Sequence, residues 1–448
     1  MVLTYTYTVG TAGPVEVTII DNDTLALENV EFTGNLDLIS DMDHETDAKR
    51  KFGVSWKTGL HWVKGNIDKT LPVAYSCGDE EYRLKANAEF SGTIEGDPTI
   101  EARFIANGFP NGAFYSGWVE VGVDFLTLSA LMASNATALK TFREIYCVQQ
   151  PDFIGQMELE WEMRIDGDDD DIRSIGGSSL NPLYITREDP IAGPLYHTVV
   201  HVGCVAAKEQ STETAVFDAI WAEFSGASIA IFSKKIQNGV VSDNNALYYY
   251  GIAVKDAQGN MVTNPVAIYP ESKYKSLALS EGIDATDELL RRKDGQCRAW
   301  ALFMGDILAV QGISSSIVSV ATTQANGTIK YTDPATGIKY DLTPANLRGI
   351  FMFDDSLGKH HGVAPMSRVF GLHFVLLYGD SYYDPSNGIK STETTNKSKE
   401  EALAQSIWKY GFYYHQFFPL GVTGYSYFFI DTALGSQAIE DWIDAEIE

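Results

Sequence analysis

Asp294–Ile313 reads DGQCRAWALFMGDILAVQGI. Trp300, Ala301, Met304, Ile307, Leu308 and Gln311 recur at three- and four-residue spacing, which lines one face of an α-helix. Asp294 or Gly295 is placed to cap its start, and Gly312 suits the position just past its end. Cys297 therefore opens a mostly buried helix. Unpaired backbone N–H groups and the positive end of the helix dipole favour a thiolate there. A thiolate is a strong nucleophile, and the Cys297 N–H is placed to help stabilise an oxyanion. Arg298 would add positive charge if it points inward.

A nucleophile needs a base, and the base needs a group that orients it. His373–Ser386 (HFVLLYGDSYYDPS) offers both. His373–Tyr378 reads as a strand, Gly379-Asp380 as a tight turn, and Ser381–Asp384 as the returning strand, ended by Pro385. The hairpin puts His373 and Asp384 on adjacent strands, within reach of each other. A carboxylate in that position holds the imidazole ring and stabilises the imidazolium.

These segments together carry a resemblance. Gly295-Gln296-Cys297, an Ala-rich helix and Gly312-Ile313, followed by a strand-borne His373 and then Asp384-Pro385-Ser386, resemble the transglutaminase core over about residues 196–390. The resemblance implies a papain-like α+β domain in which the nucleophile-bearing helix packs on an antiparallel sheet. It implies Cys297, His373 and Asp384 as a catalytic triad and gives Gln296 a minor supporting role at the oxyanion. The superfamily includes crosslinking transferases, proteases, amidases and inactive members. Three features depart from the crosslinking enzymes: Arg298 stands where they usually carry Trp, residues 322–362 look inserted between the Cys and His motifs, and the Trp that helps form their oxyanion hole has no matching position.

The first 195 residues have another texture. Thr4–Val9, Val15–Ile20, Tyr82–Ile94, Thr99–Ile105, Trp118–Phe125 and Met157–Ile165 alternate apolar and polar residues between Gly, Asn and Asp turns. That pattern predicts an antiparallel β-rich, sandwich-like accessory region. Tyr82–Ile94 and Thr99–Ile105 read as neighbours across Glu95-Gly96-Asp97-Pro98. Leu128, Leu131, Met132, Ala136 and Leu139 have helical spacing and predict a helix within 127–146. Pro190 and Gly193-Pro194 mark a boundary, giving regions 1–195 and 196–448. Thr212–Phe224 then reads as an amphipathic helix with Val216, Ile220 and Phe224 on its apolar stripe. Tyr410–Phe418 and Tyr425–Ile430 read as late strands that complete or flank the second region's sheet.

Charge bounds the partners. With 33 Lys and Arg against 60 Asp and Glu, the net charge is -27. Such a surface repels nucleic acid and anionic lipid, and attracts basic partners. No apolar run is long enough to span a membrane. Met1–Thr8 lacks the basic and apolar parts of a signal peptide. The compartment stays open, and an extracellular or surface-associated place fits equally well. Four cysteines in 448 residues make no disulfide framework. Asp166, Asp168 and Asp170, in the run DGDDDD, are candidate Ca²⁺ ligands, with a solvated turn as the other reading. His197 and His201 share a face, with Cys204 nearby, and read as core or surface histidines unless further metal ligands join them.

The expected protein is α+β. Its expected activity is that of a cysteine-dependent acyl hydrolase or acyltransferase acting on a protein or peptide substrate, a chemistry that requires no cofactor. The alternative is a structural, adhesive or assembly protein whose transglutaminase-like domain is silent or crosslinks itself.

Overall fold

The computed structural model describes residues 2–8, 14–20, 24–41, 48, 51–66, 70–77, 84–93, 99–109, 112–121, 128–131, 152–191, 193–226, 229, 235–237, 240–242, 247–249, 254–255, 261–262, 286–292, 294–295, 297–321, 329–332, 339–342, 347–352, 369–370, 372–390, 409–417 and 423–430. Strands and helices are both present, and strand predominates, so the chain is α+β. It divides into two compact units. One comprises Met1–Ser40, Val54–Asp189 and Lys208–Thr212, and the other Asp41–Gly53, Pro190–Ala207 and Glu213–Glu448.

The first unit carries strands β1 (Val2–Thr8), β2 (Pro14–Ile20), β3 (Thr24–Thr33), β4 (Trp62–Val63), β5 (Val73–Ser76), β6 (Lys85–Thr93), β7 (Ile100–Asn107), β8 (Phe114–Tyr115), β9 (Val119–Val121), β10 (Leu128–Leu131), β11 (Asp152–Ile165) and β12 (Ile172–Thr186). β1 and β2 form a hairpin, and the other ten strands form one sheet with the main order β10-β6-β3-β12-β11-β7-β8. The sheet is mixed, because β12 runs parallel to β3 and to β5. A purely antiparallel region, as the alternation suggested, is therefore not what forms.

Two further expectations are corrected here. β6 and β7 are not neighbours: β6 pairs with β3 and β10, whereas β7 pairs with β11. They share a core instead of a ladder. Ala86, Ala88 and Phe90 of β6 and Ala102, Phe104 and Ala106 of β7 belong to one buried cluster. Trp161 of β11 joins them, with Phe90 and Phe104 edge-on to its ring. Period-2 alternation marks which face of a strand is buried, but it does not choose the strand's partner. Leu128–Leu131 is a strand paired antiparallel to β6, not the start of a helix. An apolar pair three residues apart fits either period, and a neighbouring ladder overrides the weak helical preference. The rest of the expected helix lies outside the described residues.

The second unit is built around one helix. Its elements are α1 (His197–Ala206), α2 (Glu213–Ser225), β13 (Lys235–Gln237), β14 (Val240–Ser242), β15 (Tyr248–Tyr249), β16 (Val254–Lys255), β17 (Met261–Val262), α3 (Thr286–Arg292), β18 (Asp294–Gly295), α4 (Cys297–Val310), β19 (Ser316–Ala321), β20 (Ile329–Thr332), β21 (Lys339–Leu342), β22 (Leu347–Met352), β23 (Val369–Phe370), β24 (Leu372–Tyr378), β25 (Ser381–Asp384), β26 (Ile389–Lys390), β27 (Lys409–Phe417) and β28 (Thr423–Ile430). Cys297, Ala299, Trp300, Ala301, Phe303, Met304, Ile307, Leu308 and Val310 of α4 are buried. Apolar residues almost all round a helix mean that it is wrapped by other elements. Phe224 of α2 meets Trp300 and Phe303 edge-on. A Cβ on Gly203 of α1 would touch Gln311 and Ile307, and one on Gly305 would touch Ile317 of β19 and Leu376 of β24. These close approaches leave little room, and truncating the fully buried Trp300 would cost about 3–5 kcal/mol. Past the helix, Gly312 has φ +74°, and the Gly312 and Ile313 N–H groups bond back to Ala309 and Leu308.

Two four-stranded sheets stand in this unit. One has the order β19-β24-β25-β26, the other β23-β22-β27-β28. Of the late aromatic strands, β27 thus pairs with residues 347–352, inside the segment read as an insert, and β28 pairs with β27, so neither extends the sheet that carries His373. β20 and β21, also in that segment, form a hairpin.

Candidate active site

Cys297 is the first residue of α4 and carries a free thiol, 8% exposed. The chain reaches it through β18, whose Asp294 and Gly295 bridge in parallel to Tyr248 and Tyr249. Gly295 is needed for its size: a Cβ there would lie 2.9 Å from Leu289 Cδ1 and 3.0 Å from Ala299 Cβ. The helix start is therefore held close against α3.

His373 lies on β24, opposite Val320 of β19, and is fully buried. β24 continues to Tyr378, turns at Gly379-Asp380 and returns as β25, with Tyr378 opposite Ser381 and Leu376 opposite Tyr383. The strand delivers Asp384 to the ring. Asp384 Oδ2 lies 2.8 Å from His373 Nε2. Cys297 lies close enough to the same imidazole for its charge to act on it. The three residues singled out in the sequence thus meet in one buried cluster. Gln296 lies outside the described residues.

The electrostatics follow from burial and pairing. Burial alone would drive a proton off His373. The Asp384 carboxylate and the charge on Cys297 outweigh it, helped by the hydrogen bond to Asp384, and carry the imidazolium up to about 10. Burial would likewise raise the Asp384 carboxyl, but the His373 charge and its hydrogen bond, with help from Asn387 and Ser386, hold it below the usual carboxylate range. Each group keeps the other ionised in a place where neither would be charged alone.

Asn387 is the residue that sequence reasoning missed. It is buried, and its Nδ2 donates to Asp384 Oδ2 at 2.7 Å. The backbone N–H groups of Ser386 and Asn387 donate to Asp384 Oδ1 at 3.0 and 3.3 Å. Both carboxylate oxygens are thereby fixed by a turn that Asp384 itself initiates. Gly388 closes that turn with φ +67°, and a Cβ there would lie 2.9 Å from the Phe224 carbonyl oxygen of α2. The available signal was Asp-Pro-Ser-Asn-Gly, in which an Asp side chain commonly bonds the backbone two residues on. One turn further round the fold, Tyr378 stacks on Phe217 at 3.8 Å between centroids, and Tyr383 meets Phe217 and Trp221 edge-on. This aromatic packing fixes the hairpin that carries His373 and Asp384 against α2.

The other candidates are not gathered into sites. Asp166 accepts a hydrogen bond from the Thr99 N–H, and Asp168 from the Asp170 N–H. Asp169 pairs with Arg164, and Asp171 with Arg173. The acidic run is thus tied up in turning β11 into β12. His197 and His201 stand on α1 with ring centroids 6.5 Å apart. Burial, then the nearby His197, pushes His201 down to about 3. Gln311 Nε2 donates to Cys204 Sγ at 3.4 Å. Among the described residues no three His, Cys, Asp or Glu side chains are grouped to hold a metal ion, and no helix is long and apolar enough to cross a membrane. Comparison with models of known protein families matches none of them, and no curated protein matches the chain.

Proposed function

We propose that residues 196–448 form a transglutaminase-like, papain-like cysteine enzyme domain, with residues 1–195 as a β-rich accessory region. The activity is acyl hydrolysis or acyl transfer on a protein or peptide. The observation that carries this reading is the buried contact between His373 Nε2 and Asp384 Oδ2 at 2.8 Å, with Cys297 at the same imidazole from the first turn of a helix.

The Cys297 thiolate attacks an amide or ester carbonyl and forms a C–S bond. The resulting oxyanion is met by the backbone N–H groups at the start of α4. The His373 imidazolium gives its proton to the departing amine or alcohol, and a thioacyl enzyme remains. Neutral His373 then takes a proton from water or from an acceptor amine as that nucleophile attacks the thioester. The thiolate leaves and the ion pair is restored. Asp384 stays ionised throughout and holds the ring.

A second reading is a structural, adhesive or assembly protein in which the cluster is silent or crosslinks only itself. The 8% exposure of Cys297 and the complete burial of His373 favour it. Alkylation by iodoacetamide, followed on the Cys297 peptide by mass spectrometry, separates the two. An enzyme should label rapidly at pH 6, where ordinary thiols are protonated, and the rate should collapse in His373→Ala. Slow labelling in both proteins would leave the silent scaffold as the reading.

A further inference from the structure

Asp384 is held by two kinds of donor. The backbone N–H groups of Ser386 and Asn387 meet Oδ1 at 3.0 and 3.3 Å. Any residue but proline supplies such a donor at these positions. Oδ2, the oxygen that faces His373 Nε2 at 2.8 Å, also accepts from a side chain, Asn387 Nδ2, at 2.7 Å. An ionised carboxylate only accepts, so the amide must turn its NH2 towards it. The side chain at position 387 therefore acts on one carboxylate oxygen, and that oxygen is the one at the imidazole. His373, Asp384 and Asn387 are 0%, 5% and 2% exposed, so bulk water does not stand in for a lost donor there. The turn is itself anchored. The Asn387 and Gly388 N–H groups bond back to the Asp384 carbonyl oxygen at 3.3 and 2.9 Å, and Gly388 packs tightly on the end of α2.

We infer that Asn387 is a positioning residue, which acts through Asp384 Oδ2 to keep His373 oriented and charged for acyl transfer. This rests on the cysteine-enzyme reading above. Without the amide, the backbone still tethers Oδ1. The Cβ–Cγ torsion of an aspartate is soft, so Oδ2 loses its fixed place beside the ring. The carboxyl also loses a donor that helps hold it below the usual range. In acid it then protonates sooner, and the imidazolium loses its counter-charge. Both changes weaken the imidazolium, and with it the Cys297 thiolate that the imidazolium stabilises. His373 is the charged group that acts on Asp384, and Asp384 and Cys297 are those that act on His373.

The test follows iodoacetamide labelling of Cys297 against pH in the full chain, with urea midpoints measured alongside. The midpoint of the acid limb reports how far His373 stabilises the thiolate. Asn387→Ala keeps both backbone donors to Oδ1. In that variant the midpoint should rise by about 0.7 pH unit, or roughly fivefold less thiolate on the acid side, as for losing part of one hydrogen bond to a charged group. Labelling above about pH 9, where ordinary thiols are ionised, should stay within about twofold of wild type. Asn387→Leu keeps the volume without the donor and should shift the limb as far. With Asp384→Ala already in place, Asn387→Ala should move the midpoint no further, because its route to His373 is gone. A lower urea midpoint with an unmoved acid limb would overturn the inference and leave Asn387 a packing residue. So would a wild-type limb in Asn387→Leu, or an equal shift in the absence of Asp384. Each of those results leaves the enzyme reading standing. A wild-type limb at the midpoint of an ordinary thiol, indifferent to His373→Ala, would overturn both.

Discussion

Two histidines of the second unit are both withdrawn from water, His373 more completely than His201, and are pushed in opposite directions. His201, on α1, is largely withdrawn from water beside His197, and its imidazolium is driven down to about 3. His373, on β24, is fully buried beside Asp384, and its imidazolium is carried up to about 10. Burial disfavours the charged ring in both. The difference is the sign of the neighbours: the Asp384 carboxylate at 2.8 Å, with the charge on Cys297, at His373, and the like charge of His197 at His201. Burial therefore does not make a histidine inert; what stands at its second nitrogen decides whether it is packing or an acid–base group.

The strongest way to break this contrast is Asp384→Ala. It takes the carboxylate from a buried imidazole and leaves Cys297 as its one named charged neighbour, which moves His373 towards the situation of His201. Removing one member of a buried ion pair typically costs about 3–5 kcal/mol. We expect a loss of that size in urea unfolding. We also expect His373 to titrate well below about 10, and pH 6 alkylation of Cys297 to fall at least tenfold. A variant that unfolds at the wild-type midpoint would mean that the pair contributes nothing net.

The same contrast predicts two pH limbs of different origin. His373 is raised from 6.5 to about 10. Its contribution is fully present below about pH 6.5 and is lost as pH rises through about 10. Asp384 is lowered from 3.8, so its contribution is present above about pH 3.8 and is lost as pH falls through its folded value. His201 is lowered from 6.5 to about 3. The unfolded chain takes up that proton and the folded chain refuses it, so stability falls as pH drops from 6.5 towards 3. His201→Gln should flatten the acid limb across that window and leave the alkaline limb intact. Urea midpoints measured from pH 3 to 10 in both proteins check this. An alkaline limb that vanished with His201 would invert the assignment.

The unequal legibility of the two units has a physical cause. The helix opened by Cys297 was readable because its apolar spacing, its small residues before the start and its Gly312 stop agree with one another. The approach of His373 to Asp384 was readable because one two-residue turn separates their strands, so the distance is set locally. Long-range pairing was not readable. Nothing in Tyr82–Ile94 says that β6 lies beside β3 and β10 while β7 lies beside β11, since alternation reports a face and leaves the partner open. Likewise, residues 347–352 looked like part of an insert, although they form the strand on which the late aromatic strands assemble. Asn387 was missed for a smaller reason: a turn residue reads as a turn residue, and its second use, holding Asp384 Oδ2, depends on which way the side chain faces.

The smallest effect sharpens the contrast from the other side. Two causes push His201 down, burial first and the charge of His197 second. The rings are 6.5 Å apart, and His197 is itself buried. His197→Gln removes the neighbouring positive charge while keeping a polar side chain of similar length. If burial dominates, the His201 resonance followed by NMR should move up only slightly and stay well below 6.5. A return to 6.5 would mean that the like charge had been decisive. His201 and His373 would then differ only in the sign of a neighbour, with depth playing no part. A small movement supports the view that depth acts on both, and that at His373 it is overcome by a buried carboxylate, itself held by Asn387 and two backbone N–H groups, together with the charge on Cys297.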